Sequence, residues 1–327
     1  MDRIQKIGIL TSGGDAPGMN AAIRACVRAC IYYKLQPVAI SEGYRGLINK
    51  KFNFDINARS VANILNRGGT IFKSSRCAEF MTPEGRELAH KNLVDAGIDA
   101  LVIIGGNGSL SGANKLYKTF NYPCIGIPAT IDNDIFGTDY TIGYDTASNT
   151  VMDAIDKIRD TASSHNRLFL IEVMGRDAGF IALNAGIATG AEQILIPEQE
   201  NTIERIINSI KKSNRAGKTS SIVVVAEGNQ SGSAFNLSHE IEKKFPEYTV
   251  KVTVLGHIQR GGNPSIQDRV LASRFGVAAI ENLVKKVSGV MVGIKNQQDS
   301  IVSLEDAISS NNAIDKKMID VANIISI

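Results

Sequence analysis

The residues of this sequence best suited to chemistry fall in three short segments: Ser12-Gly13-Gly14-Asp15, Gly105-Gly106-Asn107-Gly108-Ser109 and Thr130-Ile131-Asp132-Asn133-Asp134. Each follows a short apolar run of the kind that forms a buried strand. Glycine lets a backbone N–H approach a phosphate oxygen with no Cβ in the way, and a helix starting behind such a turn adds a favourable dipole. Aspartates beside a phosphate supply hard oxygen ligands for Mg²⁺ and a proton acceptor. Together the three segments describe an anion site with acids at its side.

Each signal has a bland reading. The first loop lacks the Gly-x4-Gly-Lys-Ser/Thr pattern, the second lacks Gly-x-Gly-x-x-Gly, and a Gly-Gly turn alone is ordinary turn chemistry. Two glycine loops and an acidic one, all at the C-terminal ends of expected parallel strands, favour a binding site, because open α/β sheets bind ligands at that edge. A single Asp-Asn-Asp run reads as an Asx-type turn. On an extended segment, however, alternate residues point the same way, so Asp132 and Asp134 are expected to face one site, one on metal and one on a substrate hydroxyl. Among the basic residues Arg76, Arg167, Arg176, Lys251 and Arg260, Arg176 and Arg260 stand in glycine-flanked turns after strands, suited to a bidentate grip on phosphate. His165 and His257 have no spacing for a zinc site or a Ser/His/Asp triad. Arg24 and Arg28 share a helix face and repel unless an anion lies between them. On spacing alone they are a solvated face.

The elements that must position these residues read as an α/β pattern. Short apolar runs predict strands at Ile7 to Leu10, Pro37 to Ile40, Leu101 to Ile104, Cys124 to Ile127, Leu168 to Val173, Ile194 to Ile196, Ile222 to Ala226, Val252 to Leu255 and Val290 to Ile294, a parallel sheet covered on both faces. Val151, Ala154, Ile155 and Ile158, like Ile203, Ile206, Ile207 and Ile210, repeat at helical spacing. Pro17 is expected among the first residues of a helix beginning just after Asp15. A length of 327 residues makes two domains the default. With 43% hydrophobic and 21% charged residues the composition is that of an ordinary globular protein, and a net charge of +3 argues for no nucleic-acid partner. Cys26, Cys30, Cys77 and Cys124 lack metal-type pairing and read as reduced, buried thiols. No apolar run approaches a membrane span, so a cytoplasmic location is expected.

The segments Thr-Ser-Gly-Gly-Asp-Ala-Pro-Gly-Met-Asn at 11 to 20, Pro-Ala-Thr-Ile-Asp-Asn-Asp at 128 to 134, Met-Gly-Arg at 174 to 176 and Gly-His-Ile-Gln-Arg-Gly-Gly at 256 to 262 resemble bacterial 6-phosphofructokinase over nearly the whole chain. The resemblance implies two Rossmann-like three-layer α/β/α domains with mostly parallel sheets. We set an ATP-binding domain at 1–143 plus 259–305 and a fructose 6-phosphate domain at 144–258 plus 306–327. It implies transfer of the ATP γ-phosphoryl group to the 1-hydroxyl of fructose 6-phosphate, Mg²⁺-dependent, in a homotetramer under allosteric control by an effector such as ADP or phosphoenolpyruvate. By the same resemblance, Gly13, Arg76, Cys77, Gly106, Asn107, Gly108 and Ser109 contact ATP. Asp132 is the proton acceptor, with Arg76, Thr130 and Arg176 also catalytic and Ile131 beside the sugar. Met174, Gly175, Arg176, Glu227, His257 and Arg260 match fructose 6-phosphate contacts, while Arg167 and Lys251 match the pair that a neighbouring subunit supplies. Asn107 and Asp134 take the metal positions. Arg24, Arg28, Arg159, Glu192 and Lys218 match the effector pocket, and Arg59 lies near another basic position of it.

Three positions depart from the family pattern. Asn107 stands where the family has aspartate, replacing a charged Mg²⁺ ligand by a neutral amide, an expected rate loss of ~10² to 10³. Lys251 replaces an arginine and gives up its planar fork. Ala129 replaces a glycine; pyrophosphate-using relatives carry lysine there and aspartate at the position of Gly108, so the alanine and glycine here keep room for ATP. Three readings stand: an active or slowed ATP-dependent kinase, a catalytically impaired regulatory or sugar-phosphate-binding paralogue, and a pyrophosphate-dependent enzyme.

Overall fold

A computed structural model describes residues 4–163, 167–200, 202–215 and 221–325. In chain order the strands are β1 (Lys6–Ser12), β2 (Gln36–Ile40), β3 (Phe52–Asn53), β4 (Ala100–Gly105), β5 (Cys124–Thr130), β6 (Ile142–Gly143), β7 (Leu168–Val173), β8 (Gln193–Leu195), β9 (Ser221–Ala226), β10 (Val250–Val254), β11 (Val290–Lys295) and β12 (Gln298–Ser303). All nine expected strands are present, with ends shifted by at most three residues, and the class is α/β. The chain divides into two compact units. The first comprises Met1–Thr130, Ile135–Asp145 and Arg260–Asn312; the second comprises Ile131–Asp134, Thr146–Gln259 and Ala313–Ile327. Our borders put 131–134 with the first unit, whereas the chain passes to the second between Thr130 and Ile131.

The first unit holds an eight-stranded sheet in the order β12-β11-β5-β4-β1-β2-β3, with β6 paired to β5 off this path. Its centre is parallel; β3 and β12 run antiparallel at the two edges. Both faces of the central strands are covered, so β4 and β5 are buried at every residue, which is why they read as unbroken apolar runs. The second unit holds four parallel strands in the order β10-β7-β9-β8. Leu170, Val223 and Val225 of this sheet pack with Ile206, Ile207 and Ile210, the periodic face of the helix Ile203–Arg215.

The sequence missed β3, β6 and β12. The first two are two-residue bridges, and β12 (Gln-Asp-Ser-Ile-Val-Ser) is an edge strand with exposed polar residues, a pattern edges favour. The helix after the first glycine loop also starts later than expected. It spans Met19–Tyr32 behind Gly18 at φ +109°, and Pro17 lies before it. With φ held near −65°, proline cannot make that left-handed turn; Gly18 does. Among the described residues no helix is long and apolar enough to cross a membrane.

Candidate active site

Strand register brings one group of candidate residues together in the first unit. In the parallel pair β1–β4, Ser12 lies opposite Gly105, and in β4–β5, Gly105 lies opposite Pro128. The segments that follow the three strands are therefore neighbours at the C-terminal edge of one sheet. They pack too closely for side chains: a Cβ on Gly105 would stand 2.4 Å from the Ser12 carbonyl oxygen and 2.6 Å from Ser109 Oγ. One on Gly13, at φ +86°, would stand 3.2 Å from the same Oγ. Behind the cradle the helix Asn107–Phe120 begins after Gly106 with no side-chain cap and no acidic residue in its first turn. Around Gly108 nothing comes within 4 Å of the place a Cβ would take. Uncapped N–H groups, an unopposed dipole and open space are what an incoming phosphate needs.

Two supports hold this cradle. Tyr44 was not singled out in the sequence. Its buried hydroxyl donates to the Ser109 carbonyl (2.5 Å) and its ring stacks on Phe80 at 4.0 Å. A Cβ on Gly112 would meet that ring at 2.7 Å, so a mid-helix glycine was the available signal. Burial pushes the Tyr44 hydroxyl well up, keeping it a donor. The second support is the segment 67–77. Ser74 donates to the Gly13 carbonyl, Thr11 Oγ1 donates to the Lys73 carbonyl (3.0 Å), and buried Asn20 accepts from Ile71 N–H (2.8 Å) and donates to the Arg67 carbonyl (3.0 Å). These bonds bring exposed Arg76 and half-buried Cys77 to the edge of the cradle, where Arg45 Nη2 donates to the Arg76 carbonyl (3.2 Å). Glu42 bonds Lys51 at 2.6 Å, and that ammonium, with Arg45 and Lys73 nearby, holds its carboxyl below the usual range. Arg260 also belongs to the first unit: Nη1 donates to the Asp15 carbonyl (3.1 Å) and stands 2.6 Å from where a Gly14 Cβ would lie.

The second unit gathers the other group. Asp132 and Asn133 are each 4% exposed, and Arg176 Nε lies 3.6 Å from Asp132 Oδ2. Beyond β7 the chain turns through Gly175 at φ +140° and Arg176 at φ +52°. The N–H groups of both donate to Glu227 Oε1, at 3.3 and 2.8 Å, while Glu227 N–H donates to the Val173 carbonyl at 2.9 Å. Met174 N–H is bonded to Oε1 of fully buried Gln259 (3.1 Å), a residue quoted in a motif but given no role. One expectation fails: Asn133 has φ +54°, so 132–134 is not extended and alternation does not aim Asp132 and Asp134 alike. Asn tolerates this left-handed turn better than most residues.

Other expected site residues stand elsewhere. Arg167 precedes β7 and Lys251 pairs opposite Phe169 near its start, whereas Arg176 follows its end. A six-residue strand spans ~20 Å, so this unit does not bring the first two to the third. His257 is exposed. Arg24 and Arg28 lie on the helix Met19–Tyr32, and partial burial, then the Arg28 charge, lower the Arg24 pKa. Arg159 Nη2 donates to the Thr189 carbonyl (2.6 Å), and Glu192 Oε2, 1% exposed, accepts from Ile222 N–H (2.7 Å). Lys218 and His165 lie outside the described residues. Among those described, no three His, Cys, Asp or Glu side chains gather so as to hold a metal ion.

Known proteins resemble this chain in sequence and fold. A family model described as Phosphofructokinase matches residues 6–283. The chain is 52% identical to ATP-dependent 6-phosphofructokinase 2 of Bacteroides thetaiotaomicron over 327 residues, 100% of both chains. It is 51% identical to ATP-dependent 6-phosphofructokinase of Clostridioides difficile over 324 residues, 99% of this chain and 100% of that one. The solved phosphofructokinase of Saccharomyces cerevisiae superposes with a TM-score of 0.86 at 35% identity, over 98% of this chain and 46% of the yeast chain, so this protein spans about half its length. A pyrophosphate-dependent phosphofructokinase from Marinobacter aquaeolei gives a TM-score of 0.84 at 21% identity, a likeness of fold alone. The chain belongs to the phosphofructokinase family.

Proposed function

We propose that this chain transfers the γ-phosphoryl group of ATP to the 1-hydroxyl of D-fructose 6-phosphate, releasing fructose 1,6-bisphosphate and ADP. The observation that carries the reading is the register of Ser12, Gly105 and Pro128, which sets two glycine loops side by side before the uncapped helix N-terminus at Asn107. The relatives at about half identity over the full chain are named for ATP, which supports ATP over pyrophosphate as donor and an enzyme over a non-catalytic paralogue.

In this mechanism the N–H groups of the Asn107–Phe120 helix and its glycine loops receive the phosphates, and Arg76 offsets charge that spreads over the transferred group. The sugar O1–phosphorus bond forms as the bond from the γ-phosphorus to its bridging oxygen breaks. The hydroxyl proton passes to the Asp132 carboxylate, which Arg176 holds at 3.6 Å. Thr130 and Ile131 lie beside the sugar. Met174, Gly175, Arg176, Glu227, His257 and Arg260 bind the sugar phosphate, with Arg167 and Lys251 given by a neighbouring subunit of a homotetramer, since one chain keeps that pair a strand's length from Arg176. Arg24, Arg28, Arg159, Glu192 and Lys218 take an anionic effector. At this loop the chain supplies no charged anchor for Mg²⁺: Asn107 offers only a neutral amide oxygen, and among the described residues no three His, Cys, Asp or Glu side chains gather to hold a cation. The cation belongs with the nucleotide, as Mg·ATP, the substrate.

A coupled assay with fructose 6-phosphate and Mg·ATP tests this reading. Turnover with ATP and none when pyrophosphate replaces it is the expected result. Failure with both donors, in protein that still binds fructose 6-phosphate, refutes it.

A further inference from the structure

A nucleoside triphosphate carries four negative charges that must be offset, and the first unit shows what this chain offers for the task. The helix Asn107–Phe120 brings an uncapped N-terminus with no acid in its first turn. Segments bordering the cradle carry Arg45, Lys73 and Arg76, of which Arg45 is fixed on the Arg76 carbonyl. Among the carboxylates on these first-unit segments, Glu42 is paired with Lys51 at 2.6 Å, and the Arg260 guanidinium lies beside Gly14, next to Asp15. On these segments the basic side chains outnumber the carboxylates, and no described cluster of His, Cys, Asp or Glu recruits a cation.

We propose that the nucleotide site takes ATP as the free tetra-anion about as well as it takes Mg·ATP, because arginines and helix N–H groups neutralise the phosphates in place of a protein-anchored divalent ion. The inference rests on the ATP site proposed above. A carboxylate at position 107 would reverse the balance. It would sit in the helix's first turn, repel bare phosphates and attract a cation that bridges to them. The amide of Asn107 does neither. Metal then enters and leaves with the nucleotide, and the protein itself is indifferent to it in the binding step.

The test is calorimetric titration of ATP into the full-length protein, once in excess EDTA and once in excess Mg²⁺, with no sugar phosphate present. For the wild type the two dissociation constants should agree within about threefold. For Asn107→Asp the EDTA value should exceed the Mg²⁺ value about tenfold or more, the effect of one added charge within a few ångströms of the phosphates in a partly screened site. Arg76→Gln should weaken binding in EDTA more than in Mg²⁺. A wild type that binds ATP tightly in Mg²⁺ and tenfold or more weakly in EDTA overturns the inference and leaves the ATP site standing. A wild type that binds ATP in neither condition overturns the site itself. The wild-type pair of titrations decides the matter even where a variant fails to fold.

Discussion

Gly228→Ala adds one methyl group at a place where the structure sets a large consequence. A Cβ at Gly228 would stand 1.9 Å from the Arg176 carbonyl oxygen, 2.8 Å from its carbonyl carbon and 3.3 Å from Asp177 Cα. The obstacle is backbone, so no side chain can swing away. Restoring a 3.0 Å contact demands about 1.1 Å of separation. Arg176 sits at φ +52°, beside Gly175 at φ +140°, a conformation already ~1 to 2 kcal/mol above the right-handed region. The turn therefore yields first, and a shift of that size stretches the 2.8 Å bond from Arg176 N–H to Glu227 past hydrogen-bonding range. Arg176 then leaves Asp132. Overpacking destabilises by ~1 to 3 kcal/mol, less than the ~5 to 15 kcal/mol of a typical domain, so the protein stays folded. Misplacing a substrate-positioning group by 1 Å lowers the rate by roughly 10², and kcat/KM for fructose 6-phosphate should fall about that far. Calorimetric ATP binding should hold within about twofold, because Gly13, Arg76 and the Asn107–Phe120 helix are untouched. Wild-type fructose 6-phosphate kinetics in folded Gly228→Ala protein would refute the reasoning.

Asp132→Asn should lower kcat by ~10² to 10⁴ while leaving fructose 6-phosphate affinity nearly unchanged; a matching loss of affinity would argue for a binding role. Burial holds the His90 imidazole below its usual pKa, stacked on Phe120 at 4.3 Å. The unfolded chain, with its pKa of about 6.5, therefore takes up the proton first as pH falls, so the neutral ring's contribution is intact above that pH and lost below it. Melting temperature should drop more steeply from about pH 7 to about pH 5 in the wild type than in His90→Phe, and identical slopes would count against it. Burial raises the thiol pKa of Cys26, of Cys30 to about 12, and of Cys124, leaving half-buried Cys77 to react with a thiol reagent in the native protein. ATP should slow that reaction, and modification of a second thiol before unfolding would contradict the burial.

What could be read from the sequence follows from how local each cause is. Most of the nine strands were legible because a strand covered on both faces must be apolar throughout, and that demand is written in consecutive residues; β8 and β10 are only partly buried. Two-residue β3 and β6 and the polar edge strand β12 lack such a demand. The glycine loops were legible for the same reason: phosphate approach is a requirement on adjacent backbone groups. Tyr44 was not, because its hydroxyl serves Ser109, 65 positions away. Nor was Gln259, 85 positions from Met174, nor Gly228, whose hydrogen side chain matters only against Arg176.

The Asp132–Arg176 pair shows why local rules gave out at the proposed catalytic residues. Alternation along 132–134 presumed extended backbone, yet Asn133 adopts φ +54° and Arg176 adopts φ +52°, so each partner of the ion pair is next to, or itself is, a left-handed residue. For asparagine that conformation is mild; for arginine it needs outside support. The support is identifiable: two N–H groups on one Glu227 oxygen, and a glycine at 228 that leaves the turn room to sit against β9's end. Glu227 thus holds the turn's shape and spends its charge on backbone donors. Glu227→Gln keeps the size and one acceptor but weakens both bonds, so it should raise the fructose 6-phosphate KM while sparing the ATP affinity. Loss of ATP affinity instead would place Glu227's role outside the turn that it bonds.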